Sequence, residues 1–158
     1  MLIDGGSGAG KSTLATSLAE VLGAELVRLD DIYPGWDGLE AGSQAVVDDV
    51  LMDGRWQRWD WEREAPGEVR AIDVTRPLIV EGCGALSRPA RALATFGVWI
   101  ELDEGERRRR ALIRDGETYA PHWDRWAAQE RRFFTRERPD LLADVVIDGH
   151  AIPVTPDR

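Results

Sequence analysis

A chain of 158 residues, 43% hydrophobic and 31% charged, has the makeup of a single globular domain spanning residues 1–158. Its formal charge of −9 argues against a nucleic-acid partner, because displacing phosphate counterions needs a surplus of positive surface. No apolar run of about 18 residues offers a membrane span, no basic-then-apolar leader opens the chain, and the lone cysteine, Cys83, leaves no internal disulfide, so a cytoplasmic protein without a membrane partner is expected.

The first expected element is a short strand in the apolar run at residues 2–4, feeding the glycine-rich stretch GGSGAGKS at 5–12. A helix follows, with Leu14, Leu18, Val21 and Leu22 on one face and Gly23 as its stop. Residues 25–30 read as a second strand. The segment 33–69 is irregular apart from a helical pattern at 42–53, and is the expected substrate-facing region. Continuous apolar runs at 77–82, 96–103 and 143–149 suit buried parallel strands, and helical patterns occupy 87–94, 104–115 and 121–136. Strands alternating with helices predict an α/β fold of three layers, a parallel sheet of about five strands flanked by helices. Ligands of such sheets bind beyond the carboxyl ends of the strands, where Asp30, Glu81 and Asp103 stand.

The stretch GGSGAGKS satisfies the pattern G-x-x-x-x-G-K-[ST], and it follows a strand and opens a helix as that pattern requires. Glycines let the backbone curl into a nest of inward N–H groups, to which the helix adds the positive end of its dipole. Lys11 is the only lysine in a chain that otherwise uses arginine. A compact, rotatable ammonium fits a crowded phosphate site where a planar guanidinium does not. Gly5, Gly6, Ser7, Gly8, Ala9, Gly10, Lys11, Ser12 and Thr13 are therefore the expected nucleotide-binding residues, with the Ser12 hydroxyl directed at Mg²⁺. The loop alone leaves kinase, switch ATPase and non-catalytic nucleotide-binding module open. Neither N-K-x-D nor L-S-G-G-Q is found, and the chain is short for a motor or transport ATPase.

The loop, together with RLDDIYPGWDG at 28–38, PLIVEG at 77–82 and RRRRALIRDG at 107–116, resembles the uridine kinase-like branch of the P-loop small-molecule kinases. That resemblance implies an ATP- and Mg²⁺-dependent transfer of the γ-phosphoryl group to a hydroxyl of a small-molecule, nucleoside-like acceptor. By it, Asp30 matches the carboxylate that takes the proton of the attacking hydroxyl, while Glu81 and Asp31 stand with Ser12 near the metal. The arginine-rich helix becomes a lid over 104–118, in which Arg110 and Arg114 join Lys11 in neutralising the transferred group; the plainer reading is a solvated helix pairing with Glu104 and Glu106. On the acceptor side the resemblance selects Asp30, Tyr33, Trp59 and Asp60. Trp123, Trp126, Phe133 and Phe134 read instead as a buried stripe, Tyr119 and His122 as candidate nucleotide contacts, and Cys83 as inert core.

Overall fold

The computed structural model of the protein describes residues 1–153. In chain order its main elements are β1 (Leu2–Gly5), α1 (Lys11–Leu22), β2 (Glu25–Arg28), α2 (Leu39–Ala45), β3 (Arg55–Asp60), β4 (Ala65–Ala71), β5 (Leu78–Glu81), α3 (Arg88–Leu93), β6 (Gly97–Glu101), α4 (Glu104–Asp115), α5 (Trp123–Glu137), α6 (Pro139–Leu142) and β7 (Val145–Asp148). Five of the strands form one parallel sheet in the order β2-β5-β1-β6-β7. β1 lies at its centre, pairing Leu2 with Val80 on one side and with Gly97 on the other.

The two-residue period of the strands divides the core into two layers. Leu2, Val27 and Val80 face one side, where they pack with Leu29, Tyr33, Leu39, Leu86, Trp123 and Phe133. Ile3, Ile79, Val98 and Ile100 face the other, beneath Ala15, Leu14 and Leu18 of α1. Val21 and Leu22, expected on that buried face, are 82% and 48% exposed. They occupy the last turn of α1, just before Gly23 (φ 60) closes it by donating its N–H to Ala19 O.

Local signals set the other helix ends. Ser87 caps α3 by accepting from Ala90 N at 3.3 Å, and Asp103 caps α4 by accepting from Glu106 N at 2.9 Å. A short 3₁₀ turn, Gly116–Thr118, continues α4, and a second, Ala120–His122, leads into α5. No helix among the described residues is long and apolar enough to cross a membrane.

The segment 33–69 is more regular than its composition suggests. α2 runs on through Val46–Asp53 as a wider π-helical stretch, burying Val46, Val47 and Val50. β3 and β4 then form an antiparallel hairpin outside the main sheet, with a register shift between Gln57 and Trp59. Its second strand is exposed nearly throughout, so neither face carries the apolar alternation that announces a strand.

Candidate functional site

β1 ends at Gly5 and α1 begins at Lys11, so residues 6–10 turn tightly at the carboxyl edge of the sheet. The turn depends on glycine where the chain meets α4. A Cβ on Gly6 would lie 2.1 Å from the Arg107 guanidinium, and one on Gly8 (φ +83) would lie 2.2 Å from the Arg107 carbonyl oxygen. Ser7 and Gly8 open onto a cavity of about 260 Å³, together with Gly10, Lys11, Ser12 and Thr13. Asp30 and Glu81, from the ends of neighbouring strands, line the same cavity.

The Lys11 ammonium is buried and donates to Gly6 O at 3.0 Å and to Cys83 Sγ at 3.5 Å. Burial opposes its charge, but Cys83, Glu81, Glu130 and Asp30 around it hold its pKa above the ordinary lysine value. Glu81 accepts from Ser12 Oγ at 2.9 Å and faces Arg28 at 3.6 Å. Burial, reinforced by the Asp30 charge, pushes the Glu81 carboxyl up to about 7. Asp30 itself opens to solvent on its cavity side, yet the protein around it raises its pKa, desolvation being the main cause. Lys11 and Arg114 pull it down, while Asp31 and Asp115 add to the rise. The two carboxylates share a positive field, and each makes the other harder to ionise. A hydroxyl and carboxylate oxygens are hard donors suited to Mg²⁺, which takes one or two protein ligands and completes its shell with phosphate and water. Among the described residues no cluster of three or more His, Cys, Asp or Glu side chains suits a metal held by protein alone.

Aromatic rings make up much of the remaining lining, Tyr33, Trp36, Trp61, Tyr119 and Trp126, with the Tyr119 side chain hydrogen-bonded to Ser7 of the loop. Trp36 stacks on His122 with ring centroids 4.1 Å apart and planes 7° from parallel, and lies 5.1 Å from Trp61. Tyr33 meets Trp126 edge-on at 4.7 Å and donates its hydroxyl to Cys83 O at 2.7 Å. Burial keeps that phenol protonated. The Trp61 indole donates to Asp30 O at 2.8 Å, tying the hairpin turn to the end of β2. Gln129, on α5, donates to Trp36 O at 2.7 Å and accepts from Leu39 N at 3.4 Å, bracing the same wall from behind.

Of the residues selected from sequence, Lys11, Ser12, Asp30, Tyr33, Glu81 and Arg114 converge on this cavity. Gly5, Gly6 and Ala9 are buried and form the base of the loop. Four others are not brought to the cavity. Arg110 is buried elsewhere, donating to Gly149 O at 3.0 Å and to Glu106 at 2.9 Å, so it fastens α4 to the end of β7. Asp31 turns outward to Arg58 at 3.7 Å. The Asp60 carboxylate caps the hairpin turn by accepting from Glu62 N and Arg63 N. That cap swings the chain so that Trp61, rather than Trp59, faces Asp30. Trp123 and Phe133 lie in the core as expected, whereas Trp126 is both core and cavity wall, and Cys83 is a wall residue whose thiol burial holds protonated.

No family model matches the sequence, and no curated protein matches it. Solved structures do match. A chain described as a possible uridine kinase from Bacillus stearothermophilus superimposes with a TM-score of 0.61 at 18% identity, over 93% of this chain and 86% of that one. A gluconokinase from Sinorhizobium meliloti 1021 superimposes with a TM-score of 0.51 at 20% identity, over 97% of this chain and 83% of that one. At such identities the likeness concerns architecture: the chain shares the three-layer α/β fold of these structures, with its glycine loop at the centre of a five-stranded parallel sheet.

Proposed function

We propose that this protein is an ATP- and Mg²⁺-dependent kinase that moves the γ-phosphoryl group onto a hydroxyl of a small, nucleoside-like molecule. One observation carries the reading: Lys11, Ser12, Glu81 and Asp30 line a single cavity together with several aromatic rings. The loop amides and Lys11 would hold the phosphates, and Ser12 and Glu81 would hold the metal. When bound, ATP would supply the transferable phosphoryl group and Mg²⁺ would supply positive charge beside the phosphates. Asp30 accepts the proton of the acceptor hydroxyl, and its raised pKa brings it nearer to neutrality, where a general base works best. Arg114, at the cavity beside Asp30, contributes positive charge to the same space. Flat rings on the acceptor wall support a planar or ring-shaped acceptor.

The test is ADP release with panels of nucleosides, sugars and sugar acids. Acceptor-dependent release, abolished by Asp30→Asn with ATP binding preserved, supports the kinase. Equal release without any acceptor would make the protein an ATPase, and ATP binding with neither reaction would make it a binding module. Lys11→Ala should remove nucleotide binding altogether; turnover at the wild-type rate would refute the reading.

A further inference from the structure

α4 and α5 bring a buried ion pair to the back of the glycine loop that the proposed reaction does not use. Glu130 is 1% exposed and Arg107 8%. Glu130 Oε2 accepts from Arg107 Nη1 at 2.9 Å. Glu130 Oε1 accepts from Ser7 N at 2.6 Å, while the same Arg107 nitrogen donates to Ser7 O at 3.1 Å. Both main-chain polar groups of Ser7 are thus held by partners one hundred and more residues away. Arg107 is anchored in turn through its Nε to Leu102 O at 3.1 Å. The glycines on either side of Ser7 leave room for no side chain against Arg107, so this pair is what the loop rests on. Glu130 Oε1 also accepts from Cys83 Sγ at 3.2 Å, and that sulfur touches the Lys11 ammonium.

A buried ion pair is a poor device for stability alone, because apolar residues of similar volume do as well or better; its worth lies in the geometry it imposes. Resting on the kinase reading above, we infer that Glu130 is a positioning residue for phosphoryl transfer: with Arg107 it clasps Ser7 and sets the shape of the loop that receives the phosphates. The residue acts through the loop and Lys11 and has no contact with the cavity.

The experiment titrates wild type, Glu130→Gln and Glu130→Asp with ATP and Mg²⁺ by calorimetry, reading stoichiometry separately from Kd. Glu130→Gln keeps an acceptor for Ser7 but removes the partner of Arg107. Glu130→Asp keeps the charge, which protects the fold, and draws the carboxylate back by one methylene so that it cannot reach both partners. Weakening of at least tenfold for Gln and threefold for Asp, at a stoichiometry near one, is expected. A residue needed only for folding would lower the stoichiometry and leave Kd unchanged, and that result overturns the inference. Amide exchange gives a second readout: Ser7, whose N–H bonds Glu130, should lose protection at least tenfold in Glu130→Asp and to a smaller extent in Glu130→Gln, while Leu2 and Ile3 keep theirs. Loss of protection throughout, or none at the loop, would likewise refute it. Asp144→Asn, which breaks an ion pair with Arg91 away from the loop, should lower Tm and leave Kd within twofold. Wild type that takes up no ATP overturns the kinase reading itself; wild type that binds, with variants that bind equally well, overturns only the role of Glu130.

Discussion

Asp4, in the middle of the central strand, offers a pH-dependent test of the fold that positions the loop. Its carboxylate has no solvent exposure and accepts three main-chain N–H groups: Gly5 at 2.7 Å, Gly84 at 3.1 Å and Leu86 at 2.8 Å. The loop after β5, which carries Cys83, is thereby pinned to β1. Burial nevertheless raises the Asp4 pKa from an ordinary 3.8 to about 6, the three N–H donors and Lys11 only partly opposing it. The folded protein therefore binds the proton more tightly than the unfolded chain. Stability from this group is complete below the unfolded pKa and declines as pH rises from about 4 through 6. Between pH 5 and pH 8 the remaining loss is about 1.4 kcal/mol, from roughly one pKa unit still to be titrated.

Asp4→Asn removes the titration. It also replaces one acceptor oxygen by an amide nitrogen facing a main-chain donor, a loss of about 1.5–3 kcal/mol that relief of the buried charge nearly offsets at pH 8. Urea unfolding of both proteins at several pH values measures the difference. The variant should be near wild-type stability at pH 8 and fall behind it by about 1.4 kcal/mol more at pH 5. A stability difference independent of pH would refute the claim that Asp4 is buried at a cost to its charge.

Two further outcomes follow from the packing around the loop. Gly8→Ala forces an unfavourable φ and a Cβ into the Arg107 carbonyl, and should lower stability by about 2–5 kcal/mol and abolish ATP binding; Gly23→Ala, at a similar positive φ in open space, should lose only about 1–2 kcal/mol and keep ATP affinity. Differential scanning calorimetry and ATP titration of the pair check both, and equal behaviour would refute the packing argument. Arg110→Met should lower stability by about 1–3 kcal/mol, through loss of its bonds to Gly149 O and Glu106, with ATP affinity within twofold of wild type. A tenfold loss of affinity would return Arg110 to the site.

What was legible in the sequence was what is local. The loop motif needs only neighbours in the chain, and the span 104–115 is bounded by its own cap, Asp103, and by Gly116. The arginines show where local reasoning stops. At about 100° per residue Arg114 lies some 20° from Arg107 around the helix, but Arg110 lies about 60° off, enough to send it to β7 instead of the loop. Glu130 was invisible for a different reason. Its partner Ser7 is 123 residues away, and a glutamate in a helix rich in arginine reads as surface charge until the fold buries it. The hairpin escaped notice because its strands bury little beyond Trp56, so no period of two reaches the sequence.

That hairpin stands apart from the main sheet, and Trp61 and Arg58 tie it to the end of β2. Trp61 is the one residue of the hairpin on the cavity, and the other aromatic residues of the lining, Tyr33, Trp36, Tyr119 and Trp126, come from outside it. Rebuilding residues 55–71 around a retained Trp61 would therefore leave both the glycine loop and the aromatic lining in place, so this stretch of chain is open to redesign without altering the proposed site.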